Sequence, residues 1–273
     1  MTVRRRFGQH FLEPAWVHKL IAVIRPDPSD TVLEIGSGRG AVTLALAPKV
    51  RRIVAVEIDR ELAGDLAARH IPSVRVVEGN FLDMDLDALL RDEVSPVRVI
   101  GNLPYNISSP ILFRLLGSHR AAKRFSDATL MLQAEVANRI GSGPGGSEYG
   151  VLALQTALHA DATRILTLPP GAFRPPPKVT SAVVSLRFRP PTVDAGMPGE
   201  FERLVRGMFM QRRKTLLNAL RPVTGLDVGR LRAALEGARI DPDRRPETLR
   251  LDEAAALVRT LSGPPPNEGT DGP

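Results

Sequence analysis

The sequence predicts an α/β protein, a doubly wound sheet up to Pro190 followed by a smaller all-α domain. Three observations predict it. Short β-branched, apolar runs alternate with helix-like segments through the first part of the chain, as in a sheet covered by helices on both faces. Pro190-Pro191 through Pro198-Gly199 is rich in Pro and Gly and reads as a domain boundary. Beyond it the apolar spacing is helical throughout. The expected division is therefore a sheet domain over 1–190, a helical domain over 191–262 and a disordered Pro/Gly-rich tail over 263–273.

Taken in order, Thr31-Val32-Leu33-Glu34-Ile35 is a buried strand, Gly36-Ser37-Gly38-Arg39-Gly40 a glycine-rich turn, and 41–47 a helix. A second strand, Arg52-Ile53-Val54-Ala55-Val56, ends in Glu57, and a third, Val74-Arg75-Val76-Val77, leads to Asn80. Val97-Arg98-Val99-Ile100-Gly101 is the next strand, and 110–116 a helix with Pro in its first turn. Strands at 127–133, 163–168 and 181–188 complete the sheet, the last two as an antiparallel, hairpin-like pair. Gly141-Ser142-Gly143-Pro144-Gly145-Gly146 is expected to be a flexible loop that gates substrate, and Pro175-Pro176-Pro177 a stiff extended segment. Helices over 200–220, 228–237 and 251–261 follow the boundary, separated near Pro242 and Pro246.

The most specific chemistry lies in Asn102-Leu103-Pro104-Tyr105, at the carboxyl end of a strand, where open α/β sheets bind ligands. An exocyclic amine on a flat heterocycle is a poor nucleophile because its lone pair is delocalised. The Asn102 side-chain carbonyl and a backbone carbonyl held next to it could accept its two N–H groups and turn the lone pair outward. Pro104 has no N–H and a fixed φ, which stiffens the turn. Tyr105 offers a ring on which a base can stack. The plainer alternative is a strand-to-loop turn with a core tyrosine.

The glycine-rich turn lets the backbone approach a ligand closely. Glu57, at a strand end some 20 residues on, is placed for ribose hydroxyls. Gly36-x-Gly38-x-x-Ala41 also passes for a dinucleotide fingerprint. Glu34, two residues before the first glycine, tilts the reading toward S-adenosyl-L-methionine, whose cationic end a carboxylate favours.

Composition bounds the function. There is no cysteine, which excludes disulfides, thiol catalysis and cysteine-ligated metal. The five histidines, His10, His18, His70, His119 and His159, have no metal-like spacing, so no metal is expected. No apolar run is long enough for a membrane span, and the basic N-terminus leads into no signal core, so a cytoplasmic monomer is the default. The net charge is +7, which favours an acidic polymer as partner. Between 203 and 221 five Arg and one Lys stand without an acid. Read as one helix, this segment has an apolar face of Phe201, Leu204, Val205, Met208, Phe209, Leu216, Leu217 and Leu220. Arg203, Arg206, Arg212, Arg213 and Lys214 are then candidate contacts to RNA phosphates.

The chain resembles the ribosomal RNA adenine-N6,N6-dimethyltransferases, most closely those acting on the bacterial small subunit. The resemblance rests on Phe7-Gly8-Gln9-His10-Phe11-Leu12, Glu34-Ile35-Gly36-Ser37-Gly38-Arg39-Gly40, Asn102-Leu103-Pro104-Tyr105-Asn106-Ile107-Ser108, Phe173-Arg174-Pro175-Pro176-Pro177-Lys178-Val179 and Gln211-Arg212-Arg213-Lys214-Thr215. It implies a Rossmann-like class I methyltransferase sheet. The cofactor is implied to be S-adenosyl-L-methionine, held by His10, Leu12, Glu34, Gly36, Gly38, Glu57, Asn80 and Asn102. Asn102 and the Leu103 carbonyl would grip the target amine, with Pro104 shaping the turn, Tyr105 stacking on a flipped adenine and Phe173 as second wall. His10 and Asn80 depart from the family pattern, which carries Asn and Asp at these places; an Asn carbonyl can still accept from an adenine amino group. The implied partner is small-subunit ribosomal RNA during ribosome biogenesis. Alternatives are a large-subunit dimethylase of the antibiotic-resistance type, a non-catalytic RNA-binding assembly factor, and a small-molecule methyltransferase. The last leaves the basic segment and the second domain without a purpose.

Overall fold

The computed structural model describes residues 10–94, 96–197 and 199–262. The expected tail, 263–273, lies outside them. The chain divides into two compact units. One comprises the residues up to Gly141 together with His159–Pro190, the other Ser142–Leu158 together with the chain from Pro191 onward.

The first unit begins with β1 (Phe11–Leu12), α1 (Pro14–Ile24), β2 (Thr31–Ile35), α2 (Ala41–Leu46), β3 (Arg52–Glu57), α3 (Arg60–Ala67), β4 (Val74–Glu78) and α4 (Leu86–Leu89). It continues with β5 (Val97–Asn102), α5 (Ser108–Ala122), β6 (Phe125–Gln133) and α6 (Ala134–Ile140). After α7 (Val151–His159) the chain forms β7 (Ala160–Leu168), β8 (Phe173–Arg174) and β9 (Ser181–Phe188). Seven strands form one sheet in the order β4-β3-β2-β5-β6-β9-β7, and β1 pairs with β8 in a small second sheet. The strands from β4 to β6 run parallel; β9 is antiparallel to both β6 and β7.

The central strands read as continuous apolar runs because helices cover both faces. Val32, Leu33, Ile53, Val54, Ala55, Val99 and Ile100 are all buried. Local capping also follows the sequence. Asp59 accepts from the N–H groups of Glu61 and Leu62 and starts α3. Pro14 opens α1, where its missing N–H costs nothing. From β4 the chain returns across β3 and β2 to enter β5, so β2 and β5 are adjacent while their following loops diverge. That is a topological switch point, and its carboxyl end is where a ligand crevice opens.

The second unit holds α8 (Glu200–Met210), α9 (Leu216–Thr224), α10 (Val228–Gly237) and α11 (Leu251–Ser262). Its core joins Phe201, Leu204, Val205 and Met208 to Leu216, Leu220, Leu231, Leu235 and Val258. Tyr149, Ala153, Leu154 and Leu158 belong to the same core. This corrects the expected boundary: 142–158 precedes Pro190 in sequence but is part of the second unit. The apolar face of α7 completes the helical core, and the Tyr149 hydroxyl donates to the Leu249 carbonyl at 2.7 Å.

Two further expectations are corrected in this unit. The 200–220 segment is two helices, with a turn at 211–214 closed by the Lys214 N–H on the Gln211 carbonyl at 2.8 Å. The first turn of α9 draws its acceptor from elsewhere, the Leu216 N–H donating to the Arg244 carbonyl at 2.7 Å. That satisfies a donor every helix start leaves open and redirects the chain without Gly or Pro. The glycine loop expected to gate substrate is held within the second unit. The Gly145 N–H donates to the Glu247 carbonyl at 2.7 Å, and Arg212 donates to the Gly146 carbonyl at 3.1 Å.

Candidate active site

A cleft opens at the switch point of the first unit, where open α/β sheets bind ligands. Three loops meet there. The turn after β2 brings Gly36, Ser37, Gly38 and Arg39; the end of β3 brings Glu57; the segment after β5 brings Asn102, Leu103, Pro104 and Tyr105. β1 and the residue before it add His10, Phe11 and Leu12, and β2 itself adds Glu34.

The glycine turn is shaped by what it touches. Gly38 has φ +54°, where a side chain is strained, and a Cβ there would stand tight against the Phe11 ring at 3.1 Å. The Gly38 N–H donates to one Glu57 carboxylate oxygen at 2.7 Å and the Asp59 N–H to the other at 2.9 Å. Glu57 thus links the turn to the start of α3 and still has lone pairs for a ligand hydroxyl. Glu34 is buried and accepts from the Thr43 hydroxyl at 2.6 Å. Burial pushes its carboxyl up to about 7, with the nearby Glu57 charge adding to the rise and the Thr43 hydrogen bond opposing it.

At the β5 end, the Asn102 side-chain amide donates to the His10 carbonyl at 2.7 Å. Its Oδ1 is then the atom it can offer to a donor. The Leu103 N–H is taken by the Met131 carbonyl at 3.2 Å. Gly101 permits this approach, because a Cβ there would fall 2.7 Å from Leu103 Cδ2 and 3.1 Å from the Ile35 carbonyl oxygen. The Tyr105 hydroxyl and Ser181 Oγ are 2.6 Å apart, and burial pushes the phenol up from its ordinary value. The His10 ring stacks on Tyr105 with centroids 5.6 Å apart and planes 24° from parallel.

Of the residues proposed from sequence, His10, Leu12, Glu34, Gly36, Gly38, Glu57, Asn102, Leu103, Pro104 and Tyr105 come together in this cleft. Two do not. Phe173 is 1 % exposed, its strand pairing with β1 so that the ring joins the core of Leu12, Val17 and Leu20 rather than a base wall. Asn80 is spent on its own turn, accepting from the Leu82 N–H and donating to Asp83 at 2.7 Å. Arg39 was missed: it lines the cleft with its guanidinium over the Phe11 ring at 4.4 Å. The aromatic at 11 and the arginine inside the glycine turn were visible, but nothing in their spacing brings them together.

The basic segment of the second unit is less free than its sequence suggests. Arg203 pairs with Glu200 at 2.8 Å, Arg206 with Glu202 at 2.8 Å and Arg212 with Glu247 at 2.5 Å. Arg213 and Lys214 are exposed in the turn and have no acidic partner among the described residues. Among the described residues no group of three or more His, Asp or Glu could hold a metal ion, and no helix is long and apolar enough to cross a membrane. His18 and His70 are exposed, and His119 and His159 are buried packing residues, His119 stacked on Phe188 at 4.7 Å.

The strand order, with the glycine turn after β2 and the Asn-Leu-Pro-Tyr segment after β5, is the Rossmann-like fold of class I methyltransferases. The family model for ribosomal RNA adenine dimethylases matches residues 1–261, and the chain belongs to that family. Ribosomal RNA small subunit methyltransferase A of Geobacter sulfurreducens is 43 % identical over 271 residues, covering 96 % of either chain. Among solved structures, a dimethyladenosine transferase from Plasmodium falciparum matches with a TM-score of 0.74 and 26 % identity, covering 91 % of this chain and 96 % of that one. The 23S rRNA methyltransferase ErmE matches with 0.65 and 25 %, covering 93 % of this chain and 100 % of its own.

Proposed function

We propose that the protein transfers methyl groups from S-adenosyl-L-methionine to N6 of adenosines, two adjacent ones dimethylated, in a loop of small-subunit ribosomal RNA during ribosome biogenesis. The observation that carries this is the Asn102 amide, fixed by the His10 carbonyl beside Leu103, Pro104 and Tyr105 at the mouth of a glycine-turn cleft. The small-subunit substrate is favoured by the relative at 43 % identity, named for that subunit.

The cleft suits the cofactor. Ser37 Oγ is buried in the glycine turn with no hydrogen-bond partner among the described residues, and so awaits a polar ligand group. Glu34 and Glu57 place carboxylates where a cation and ribose hydroxyls need them, with Gly36 and Gly38 against the ligand and Leu12 over it. When bound, the cofactor supplies a methyl activated by a sulfonium.

The residues then act by positioning. Asn102 Oδ1 and the Leu103 carbonyl accept from the adenine amine and turn its lone pair outward. Tyr105 stacks on the base. Orientation of this kind is worth roughly 7–11 kcal/mol of barrier in favourable cases. No strong base is required, because the methylated amine is cationic and sheds its proton readily. The base must leave its stack, at a cost of a few kcal/mol, which favours loop adenosines. Arg213 and Lys214 are the exposed candidates for phosphate contact.

Methyl transfer from labelled S-adenosyl-L-methionine to unmethylated small subunits tests this, with large-subunit RNA in parallel. Label recovered as dimethyladenosine in the small subunit is the expected result. Label only in large-subunit RNA would move the protein to the resistance-type enzymes, and none in either, with cofactor still bound, would point to a binding factor or to another substrate.

A further inference from the structure

Arg39 lines the cleft, and the mechanism above gives it nothing to do. We propose that Arg39, with the Ser37 hydroxyl in the same glycine turn, anchors the amino-acid carboxylate of the cofactor. This rests on the S-adenosyl-L-methionine reading above and assigns a holder to the only anionic group of that molecule.

Charge is the first support. The cofactor carries a sulfonium, an ammonium and one carboxylate. The cleft is lined by two acids, Glu34 and Glu57, and by one permanently charged cation, Arg39. The guanidinium has no acidic partner among the described residues and rests on the Phe11 ring, 4.4 Å from its centroid. A ring attracts the charge without using an N–H, so the donors stay open to a carboxylate. The ring is itself fixed, lying against Gly38 while Phe11 pairs with Arg174 in the small sheet. The arginine is thus held at the cleft before a ligand arrives.

The main chain of the turn is the second support. The Gly36 and Ser37 N–H groups both donate to the Val56 carbonyl, at 2.9 and 3.2 Å. The Gly38 N–H goes to Glu57 at 2.7 Å and the Gly40 N–H to the Ser37 carbonyl at 2.9 Å. Backbone donors that a turn of this kind can aim at an anion are therefore taken up inside the protein. A carboxylate bound here draws on side chains. Ser37 supplies one: the residue is 6 % exposed and lines the cleft, and its Oγ has no partner among the described residues. A ligand oxygen accepting from that hydroxyl removes the penalty of leaving it unpaired.

Decarboxylated S-adenosylmethionine isolates the group in question, since it keeps the adenosine, the sulfonium and the amine. Its affinity is measured by calorimetry beside that of S-adenosyl-L-methionine, without RNA, for the wild type, Arg39→Gln, Arg39→Lys and Ser37→Ala. KM for unmethylated small subunits is read in the same proteins. A carboxylate anchor makes the wild type bind the decarboxylated ligand at least roughly 10-fold more weakly. Arg39→Gln lowers affinity for S-adenosyl-L-methionine about 10-fold and Ser37→Ala about fivefold, while Arg39→Lys recovers part of the loss. The decarboxylated ligand binds the variants no more weakly than the wild type, which also shows that they are folded. Equal affinity of the wild type for both ligands overturns the anchor and leaves the cofactor reading standing. Equal weakening of both ligands by Arg39→Gln overturns it too and makes Arg39 a strut for the Phe11 ring. Unchanged cofactor affinity in Arg39→Gln with a raised KM for small subunits assigns the guanidinium to an RNA phosphate instead. A wild type that binds neither ligand ends the cofactor reading itself.

Discussion

The cleft of the first unit and the basic segment of the second were both marked by dense local sequence signals, yet the structure treats them in opposite ways. In the cleft, Asn102 is held by His10 and Glu34 by Thr43, each with one oxygen left over, and Glu57 is held through both oxygens by Gly38 and Asp59 with lone pairs still open to a ligand. In the basic segment, three of the five proposed cations are already matched, by Glu200, Glu202 and Glu247. Groups with constrained geometry keep their meaning when a motif folds. Long charged side chains take it from whatever acid lies within reach, and here one of those acids is 35 residues away.

The largest expected effect is at Asn102. Asn102→Ala should lower methyl transfer by at least about 1000-fold while cofactor affinity, read by calorimetry, stays within a few-fold. A variant that still transferred would make the cleft as replaceable as the basic segment. Next is Gly101→Ala, where the new Cβ meets Leu103 and the Ile35 carbonyl oxygen. It should cost about 1–3 kcal/mol in urea unfolding and lower transfer further by displacing Leu103.

Acidity sharpens the comparison. The Glu34 carboxyl ionises near 7 rather than at its ordinary 4.5. In the ligand-free protein it therefore contributes stability that is complete below its ordinary value and lost as pH rises through about 7. A cationic ligand reverses the preference. Cofactor affinity should weaken as pH falls through 7, and Glu34→Gln should bind more weakly at pH ~8 and without that slope. The smallest effects belong to the second unit. Arg213→Ala and Lys214→Ala should each weaken RNA binding uniformly and reduce the salt slope by about one. Arg203→Ala and Arg206→Ala should change it less, because their charges are shared with Glu200 and Glu202. Equal losses at all four would erase the distinction between matched and exposed cations.

Most of the sheet was legible because its strands are runs such as Val32-Leu33 and Ile53-Val54-Ala55, bounded by Gly or an acid. The strand ends carried the site with them, so ten of the proposed residues meet in the cleft. The failures have physical reasons. Phe173 sits in a family-like motif, but the face it takes depends on the pairing of β8 with β1, two short strands that no periodicity reveals. The break at 211–214 lacks Gly and Pro; it is made by Arg244 and Glu247, distant in sequence. Asn80 was placed correctly after its strand, but its amide has a local partner in Asp83.

Because the helical core closes only when 142–158 joins it, Pro190 is not a seam along which the protein can be cut. A chain ended there would strand Tyr149, Leu154 and Leu158 without Val205, Met208 and Leu231, an apolar face inviting self-association. Grafting the smaller unit from a relative would likewise need two crossover points, one on either side of α7. Recombination within this family should therefore spare hybrids that exchange both segments together and discard those that exchange only one.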